Sequence, residues 1–179
     1  MTKYDNLPVS KINLWVYKMF KVGDLAVYPA QGVGKIEAIE NREFMGSQQL
    51  FYIMKIMGNG IKIMIPMDSA EAVGLREVIR ETEIPKVYEI LKRKDITIDK
   101  QTWNKRYKEY LDKIKTGSVY EIARVLRDLI ILKSDKNLSF GEKKMMDTAK
   151  SLLIKEISIA SRSEETKIEK DLASILTLQ

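Results

Sequence analysis

Residues 50–66 read LFYIMKIMGNGIKIMIP, and this stretch decides the fold of the N-terminal half of the chain. Two short apolar runs, 50–57 and 61–65, flank Gly58-Asn59-Gly60, which is a tight-turn signal at hairpin spacing. Pro66 follows the second run, where a missing amide does least harm to a strand. The stretch therefore predicts a β-hairpin.

Similar short runs, separated by glycine-containing turns, extend from Phe20 to Val78. About five strands over about sixty residues predict a small, strongly bent barrel or half-barrel. Gly23, Gly32, Gly34 and Gly46 are predicted to be turn glycines with positive φ. The Gly32-Val33-Gly34 run lacks the third glycine and the strand–loop–helix context of a nucleotide-binding loop, so that function is rejected.

The hydrophobic period becomes helical near residue 80. Four to five apolar stripes follow, and the stripe from Val119 to Ile130 covers so much of the helix circumference that this helix is expected to be central. Gly117 is expected to end the preceding helix, and Ser139 with Glu142 has the spacing of a capping box. The predicted fold class is α+β, with a small β-barrel over residues 19–80 followed by an all-α domain over residues 81–179.

Composition excludes several kinds of chemistry. The 179 residues contain no His and no Cys, so histidine bases, thiolate nucleophiles and the commonest zinc ligands are absent. The acidic residues show neither metal-ligand spacing nor a paired-carboxylate pattern. We therefore expect no catalytic residue, metal site, cofactor or small-molecule substrate. The apolar runs are too short to span a membrane, and the absence of cysteine is compatible with the cytoplasm.

The charge of the chain suits an acidic partner. The formal net charge is +6, and residues 86–115 contain roughly twice as many cations as anions. Within this region Trp103-Asn104-Lys105-Arg106-Tyr107-Lys108 places an aromatic residue at the start of a predicted helix, followed closely by cations. An apolar wedge beside cations can press on a base step while the cations hold the flanking phosphates. The alternatives are a core tryptophan and a solvated basic helix face.

Taken in order, the motifs resemble the CarD family of bacterial transcription regulators. The resemblance runs through nearly all of residues 19–160 and rests on segments such as Phe20-Lys21-Val22-Gly23-Asp24, Val27-Tyr28-Pro29, Trp103-Asn104-Lys105-Arg106-Tyr107 and Leu138-Ser139-Phe140-Gly141-Glu142-Lys143. Residues 1–18 fall outside it, and we interpret them either as an extension or as the product of a misassigned start. Residues after Ala160 also match poorly.

The resemblance implies an N-terminal Tudor-like, SH3-type barrel that binds the β subunit of RNA polymerase. It also implies a helical domain that contacts promoter DNA at the upstream edge of the bubble and stabilises the open complex. Trp103 lies at the position of the family's wedge, and Lys105, Arg106, Lys108 and Lys143 lie at basic positions on its DNA-facing side. On the barrel, Arg42 lies at a polymerase-contact position. Met64 replaces a basic residue at another, where Lys62 is a candidate substitute.

Two rival functions remain open at this stage. The first is a general nucleic-acid-binding protein whose barrel contacts DNA or RNA, which the weak charge of residues 1–80 disfavours. The second is a protein-interaction module without an open-complex role, and the exposure of Trp103 discriminates it from the leading hypothesis. Under the leading hypothesis the protein is cytoplasmic and associates with the nucleoid through RNA polymerase.

Overall fold

A computed structural model describes residues 20–96, 98, 102–135 and 137–177. Its N-terminal half is one antiparallel sheet of five strands, with the spatial order β4-β3-β2-β1-β5. The strands are β1 (Leu25–Tyr28), β2 (Gly32–Phe44), β3 (Ser47–Ile56), β4 (Lys62–Pro66) and β5 (Arg76–Glu77). The predicted hairpin around Gly58-Asn59-Gly60 is confirmed, because β3 pairs with β4 across it.

The long strand β2 lets the sheet bend around a small core. It pairs with β1 through its first residues and with β3 along most of its length, and its register shifts between Ile36 and Ala38. Such a bulge increases the local twist and bends the strand. Ile36, Tyr52, Met54 and Ile65 lie in the resulting core.

Gly34 corrects one detail of the sequence analysis. It is not among the residues with positive φ, whereas Gly23, Gly32 and Gly46 are. Gly34 lies inside β2, opposite Ala26 on β1. A Cβ atom there would meet the Met54 Cε atom at 2.6 Å and the Lys55 carbonyl oxygen at 2.8 Å. Glycine is therefore required by the close approach of β3 and not by a turn.

The C-terminal half contains five α-helices within the described residues. They are α1 (Ile84–Lys92), α2 (Trp103–Lys115), α3 (Val119–Asp135), α4 (Phe140–Ala160) and α5 (Glu165–Thr177). The prediction that α3 is central is confirmed, since six of its apolar residues are buried: Val119, Ile122, Ala123, Val125, Leu126 and Leu129. The α+β fold class with a small bent sheet followed by helices is likewise confirmed.

The predicted ends of two helices are also confirmed. Gly117 has φ +70° directly after α2, a conformation that glycine adopts without a Cβ clash. The Ser139 side chain accepts a hydrogen bond from the Glu142 amide, and the Glu142 carboxylate accepts one from the Ser139 amide at 2.8 Å. This capping box fixes the start of α4.

The sheet and the helices enclose separate apolar cores, but a polar cluster joins them. The Arg76 guanidinium of β5 donates to both carboxylate oxygens of Glu156 on α4, at 2.5 and 2.9 Å. It also donates to the Gly117 carbonyl oxygen at 2.9 and 2.6 Å. The Ile79 amide donates to the same carboxylate at 3.2 Å. We call Arg76, Glu156 and these two backbone groups the interdomain clamp. The division of the chain at residues 80 and 81 into independent domains stays a prediction.

Several expectations concern absences or residues outside the described part. Within the described residues, no helix has the length and apolar character needed to cross a membrane. The same residues contain no group of three or more acidic side chains arranged to hold a metal ion. The interpretation of residues 1–18 lies outside the described residues.

Candidate nucleic-acid interface

Trp103 is half-buried, a position between the exposed wedge and the core tryptophan considered from the sequence. It is the first residue of α2, and it packs against the core of the helical domain. Its ring lies 5.3 Å from that of Tyr107, centroid to centroid, at an interplanar angle of 62°. Side chains tilt toward the N-terminus of their helix, so the indole projects past the start of α2. Tyr107 is itself 43% exposed, and the two residues form an aromatic pair at the surface.

Gly141 provides the floor beneath the indole. A Cβ atom at this position would lie 3.1 Å from the Trp103 Cζ2 atom and 3.4 Å from its Nε1 atom. Any side chain would therefore push the ring outward. Glycine inside a helix costs about 1 kcal/mol relative to alanine, so its use in the first turn of α4 indicates a packing requirement.

Arg106 is buried and does not lie on the surface. Its guanidinium donates to the Glu142 carboxylate at 3.3 Å. The same carboxylate belongs to the capping box of α4. The pair therefore ties the start of α2 to the start of α4, and it holds Trp103 over Gly141. The role of Arg106 as a phosphate contact stays a prediction, and its burial against Glu142 gives that role no support.

The remaining predicted cations are exposed. Lys105, Lys108 and Lys143 make no ion pair with any described residue. At 3.6 residues per turn, Lys105 lies about 200° around α2 from Trp103, and Lys108 about 140°. Lys143 lies on α4, two residues after Gly141, whereas Lys105 and Lys108 both lie on the side of α2 away from Trp103.

Two residues of this surface were missed from sequence. Tyr107 had been named only as part of the stretch around Trp103, and Gly141 only as part of a family segment. A sequence signal existed for Gly141, because a glycine two residues after a capping serine interrupts an otherwise good helix start. No signal identified Tyr107, since a tyrosine at helical spacing is ordinarily interpreted as core.

The predicted polymerase-contact residues share the outer face of the sheet. Met64 lies opposite Ile53, and Arg42 opposite Gln49, so both residues point away from the core that contains Tyr52. Met64 is 48% exposed and lies on β4, an edge strand. By strand spacing the two residues are roughly 16 Å apart.

The charged residues of this face are engaged in exposed ion pairs. Arg42 pairs with Glu40 on its own strand at 2.6 Å. Lys62 pairs with Glu37 at 2.8 Å, and this hydrogen bond lowers the pKa of Glu37 below its usual value. Exposed pairs of this kind exchange partners at little cost, so both cations are available to another molecule.

Comparisons with known proteins agree with this architecture. Residues 20–79 match the family described as CarD-like/TRCF RID domain, and residues 86–173 match CarD, C-terminal domain. The chain is 36% identical over 151 residues to a Bacillus subtilis protein named Putative transcription factor YdeB, covering 84% of this chain and 98% of that protein. The chain belongs to the CarD family. A solved structure of CdnLNt from Myxococcus xanthus is 52% identical, covers 34% of this chain and 86% of its own, and aligns with a TM-score of 0.30.

Membership of the CarD family fixes the general role of the chain. CarD-family proteins are transcription factors and not enzymes, which confirms the expectation that the chain is a non-enzymatic transcription regulator. The family match also confirms the resemblance found in the sequence motifs.

Proposed function

We propose that the chain binds the β subunit of RNA polymerase through its sheet and contacts promoter DNA through its helices. Through these two contacts it stabilises the open complex at the upstream edge of the bubble. It works in the cytoplasm, at the nucleoid, without cofactor or substrate. The match of residues 20–79 to the CarD-like/TRCF RID domain supports the polymerase contact, because that description suggests an interaction with RNA polymerase.

The single observation that carries the proposal is the half-buried position of Trp103. A wedge needs a rigid aromatic body with one free edge. Gly141 lies beneath the ring, Tyr107 lies against its side, and the Arg106–Glu142 pair holds the two helix starts together. The exposed remainder of the indole is then available to press on a base step that is already partly unpaired.

Exposed cations on α2 and α4 suit the flanking phosphates. Lys108 and Lys143 are exposed and form no ion pair within the described residues. Each contact with phosphate releases a counterion, so these residues contribute affinity and not sequence preference. Lys105 and Lys108 both lie on the side of α2 away from Trp103, so they reach phosphate if the backbone of the DNA passes around the start of that helix.

The outer face of the sheet suits a protein partner. Among the described residues β4 has a strand neighbour on one side only, so its other edge carries unpaired amide and carbonyl groups. An extended segment of the β subunit is able to add to such an edge, with Met64 and Lys62 beside it and Arg42 across the face. We assign the polymerase contact to these three residues.

A measurement of open-complex lifetime tests the proposal. Polymerase and promoter are preincubated with protein, a competitor is added, and decay of the open complex is followed. Trp103→Ala is expected to lose the stabilisation. Because the indole is half-buried, the substitution should cost about 1–3 kcal/mol of folding free energy, between the values for surface and core changes.

Leu111→Ala is the matched control for that loss of stability. Leu111 lies on the same helix, is half-buried and packs against the same core, but it is two turns beyond Trp103. We expect it to destabilise the fold by a similar amount and to prolong open complexes like the parent. Equal loss of function in the two variants, or full function in Trp103→Ala, would reject the wedge. If the parent protein binds polymerase fully but has no measurable effect on promoter DNA, the protein-interaction module is favoured.

A further inference from the structure

A groove runs between the start of α4 and two turns of the sheet. Phe140, Lys143, Lys144 and Asp147 line one wall, continued by Thr148 and Ser151. Ala30 and Gln31 of the β1–β2 turn and Asn59 of the β3–β4 turn line the other. The groove therefore begins one residue away from the glycine under Trp103, and it leads from there along α4.

Phe140 is the most unusual residue in this groove. It is 84% exposed, although phenylalanine is among the side chains most often buried in proteins. It occupies the first position of α4, where the capping box formed by Ser139 and Glu142 already holds the backbone. The ring is thus presented to solvent on a fixed support, and the fold does not use it for packing.

The cations along α4 differ between its two halves. Lys150 and Lys155, in the second half, pair with Glu169 and Glu165 of α5. Lys143 and Lys144, in the first half, are exposed and have no ion-pair partner among the described residues. Asp147 is the one acidic side chain of the groove lining. The part of α4 that carries the exposed phenyl ring therefore also carries the uncompensated positive charge.

An exposed aromatic face beside uncompensated cations is the combination that binds single-stranded nucleic acid. Bases stack on the ring, and phosphates meet the cations. A base inside a duplex has both faces covered by its neighbours, so Phe140 stacks with an unpaired nucleotide and not with a base in the duplex interior. The amides of Gln31 and Asn59 and the hydroxyls of Thr148 and Ser151 offer hydrogen bonds to a base edge.

We propose that this groove holds an unpaired stretch of DNA, with one base stacked on Phe140 and the adjoining phosphates against Lys143 and Lys144. The inference rests on the proposed function, because a strand separated at the bubble edge by Trp103 emerges beside Phe140. It goes beyond that function, since it assigns the displaced strand its own binding site on the protein.

The groove is tested by measuring the affinity of the full chain at low salt for three labelled DNAs that share one duplex sequence. The first is a blunt duplex, the second a fork with a thymidine tail, and the third a fork whose tail lacks bases. The parent is expected to bind the thymidine fork most tightly. Phe140→Ala should weaken that binding by about 5- to 150-fold, the range for loss of one stacked base, and leave the blunt duplex within about twofold. Phe140→Trp should retain the preference for the thymidine fork.

Lys144→Ala supplies the second readout, with Lys170→Ala on the exposed surface of α5 as its matched control. The first should weaken binding to both forks and the second to neither. All variants should melt like the parent, because the substituted side chains are exposed. The groove proposal is overturned if Phe140→Ala binds the thymidine fork like the parent, if the baseless tail binds as tightly as the thymidine tail, or if the parent shows no preference for forks. The proposed function fails separately, if Trp103→Ala prolongs open complexes like the parent.

Discussion

Breaking the interdomain clamp by Arg76→Ala is expected to destabilise the protein and to uncouple its two halves. The substitution removes both hydrogen bonds to Glu156 and both to the Gly117 carbonyl. Glu156 is 3% exposed, and of the interactions described for its carboxylate only that with the Ile79 amide then remains. A buried carboxylate stripped of its cation is the costly outcome, since water does not replace the lost partner.

The magnitude follows from burial. Removing one partner of a fully buried pair costs about 3–5 kcal/mol. The Arg76 side chain is 28% exposed, so solvent screens part of the interaction, and we expect a value near the lower end, about 3 kcal/mol. Glu156→Gln keeps an acceptor for the guanidinium and should cost less, about 1–2 kcal/mol. Combining Arg76→Met with Glu156→Met should cost less stability than the sum of those two single substitutions, with a coupling energy of about 1.5 kcal/mol or more.

Urea denaturation followed by circular dichroism measures these free energies. Arg80→Ala is the matched control, because this exposed arginine lies 3.7 Å from Glu83 and should contribute below about 0.5 kcal/mol. Limited proteolysis between Arg76 and Ile84 should be slow in the parent and faster in Arg76→Ala, since the clamp closes over this segment. If Arg76→Ala loses no more stability than Arg80→Ala, the clamp does not hold the halves together.

The clamp also bears on the proposed function. If it fixes the spacing between the polymerase-binding face and Trp103, Arg76→Ala should retain binding to polymerase and yet shorten the open-complex lifetime. Measurements at a temperature well below the unfolding transition separate this effect from loss of folded protein. An unchanged lifetime in a folded Arg76→Ala protein would mean that the spacing between the two halves is not used.

Three further predictions concern individual residues. Arg42→Glu should abolish binding to the polymerase β subunit in a pull-down and shift stability by less than about 1 kcal/mol, since only an exposed pair is lost; normal binding would remove Arg42 from the interface. Lys108→Ala should lower the slope of log DNA affinity against log salt by roughly one unit. Arg106→Ala should leave that slope unchanged and cost about 3–5 kcal/mol of stability. A lower slope in Arg106→Ala with an unchanged slope in Lys108→Ala would show that Arg106 reaches phosphate. Gly141→Ala should displace the indole of Trp103, visible as a shift in tryptophan fluorescence, and shorten open complexes without unfolding the protein; a full open-complex lifetime would show that the exact ring position is unimportant.

The fold was largely predictable from local signals. The Gly58-Asn59-Gly60 turn, the helix end at Gly117 and the capping box at Ser139 each depend on a few neighbouring residues, and each is found where sequence placed it. Gly34 was misassigned for the opposite reason. Its requirement comes from Met54 on the neighbouring strand, and a contact between residues twenty positions apart leaves no local pattern. The interdomain clamp was missed in the same way, because Arg76 and Glu156 are eighty residues apart.

The candidate site shows where sequence patterns stop discriminating among cations. Lys105, Arg106 and Lys108 look alike in a basic cluster, but the helix rotates each to a different environment. Arg106 lies 60° around the axis from Trp103, on the buried side, and its ion pair with the distant Glu142 helps to make that burial tolerable. A basic residue adjacent to an apolar stripe should therefore be assigned to phosphate only after the chain has been searched for a buried carboxylate. Here that carboxylate caps α4, so its pair with Arg106 ties the start of α2 to the start of α4.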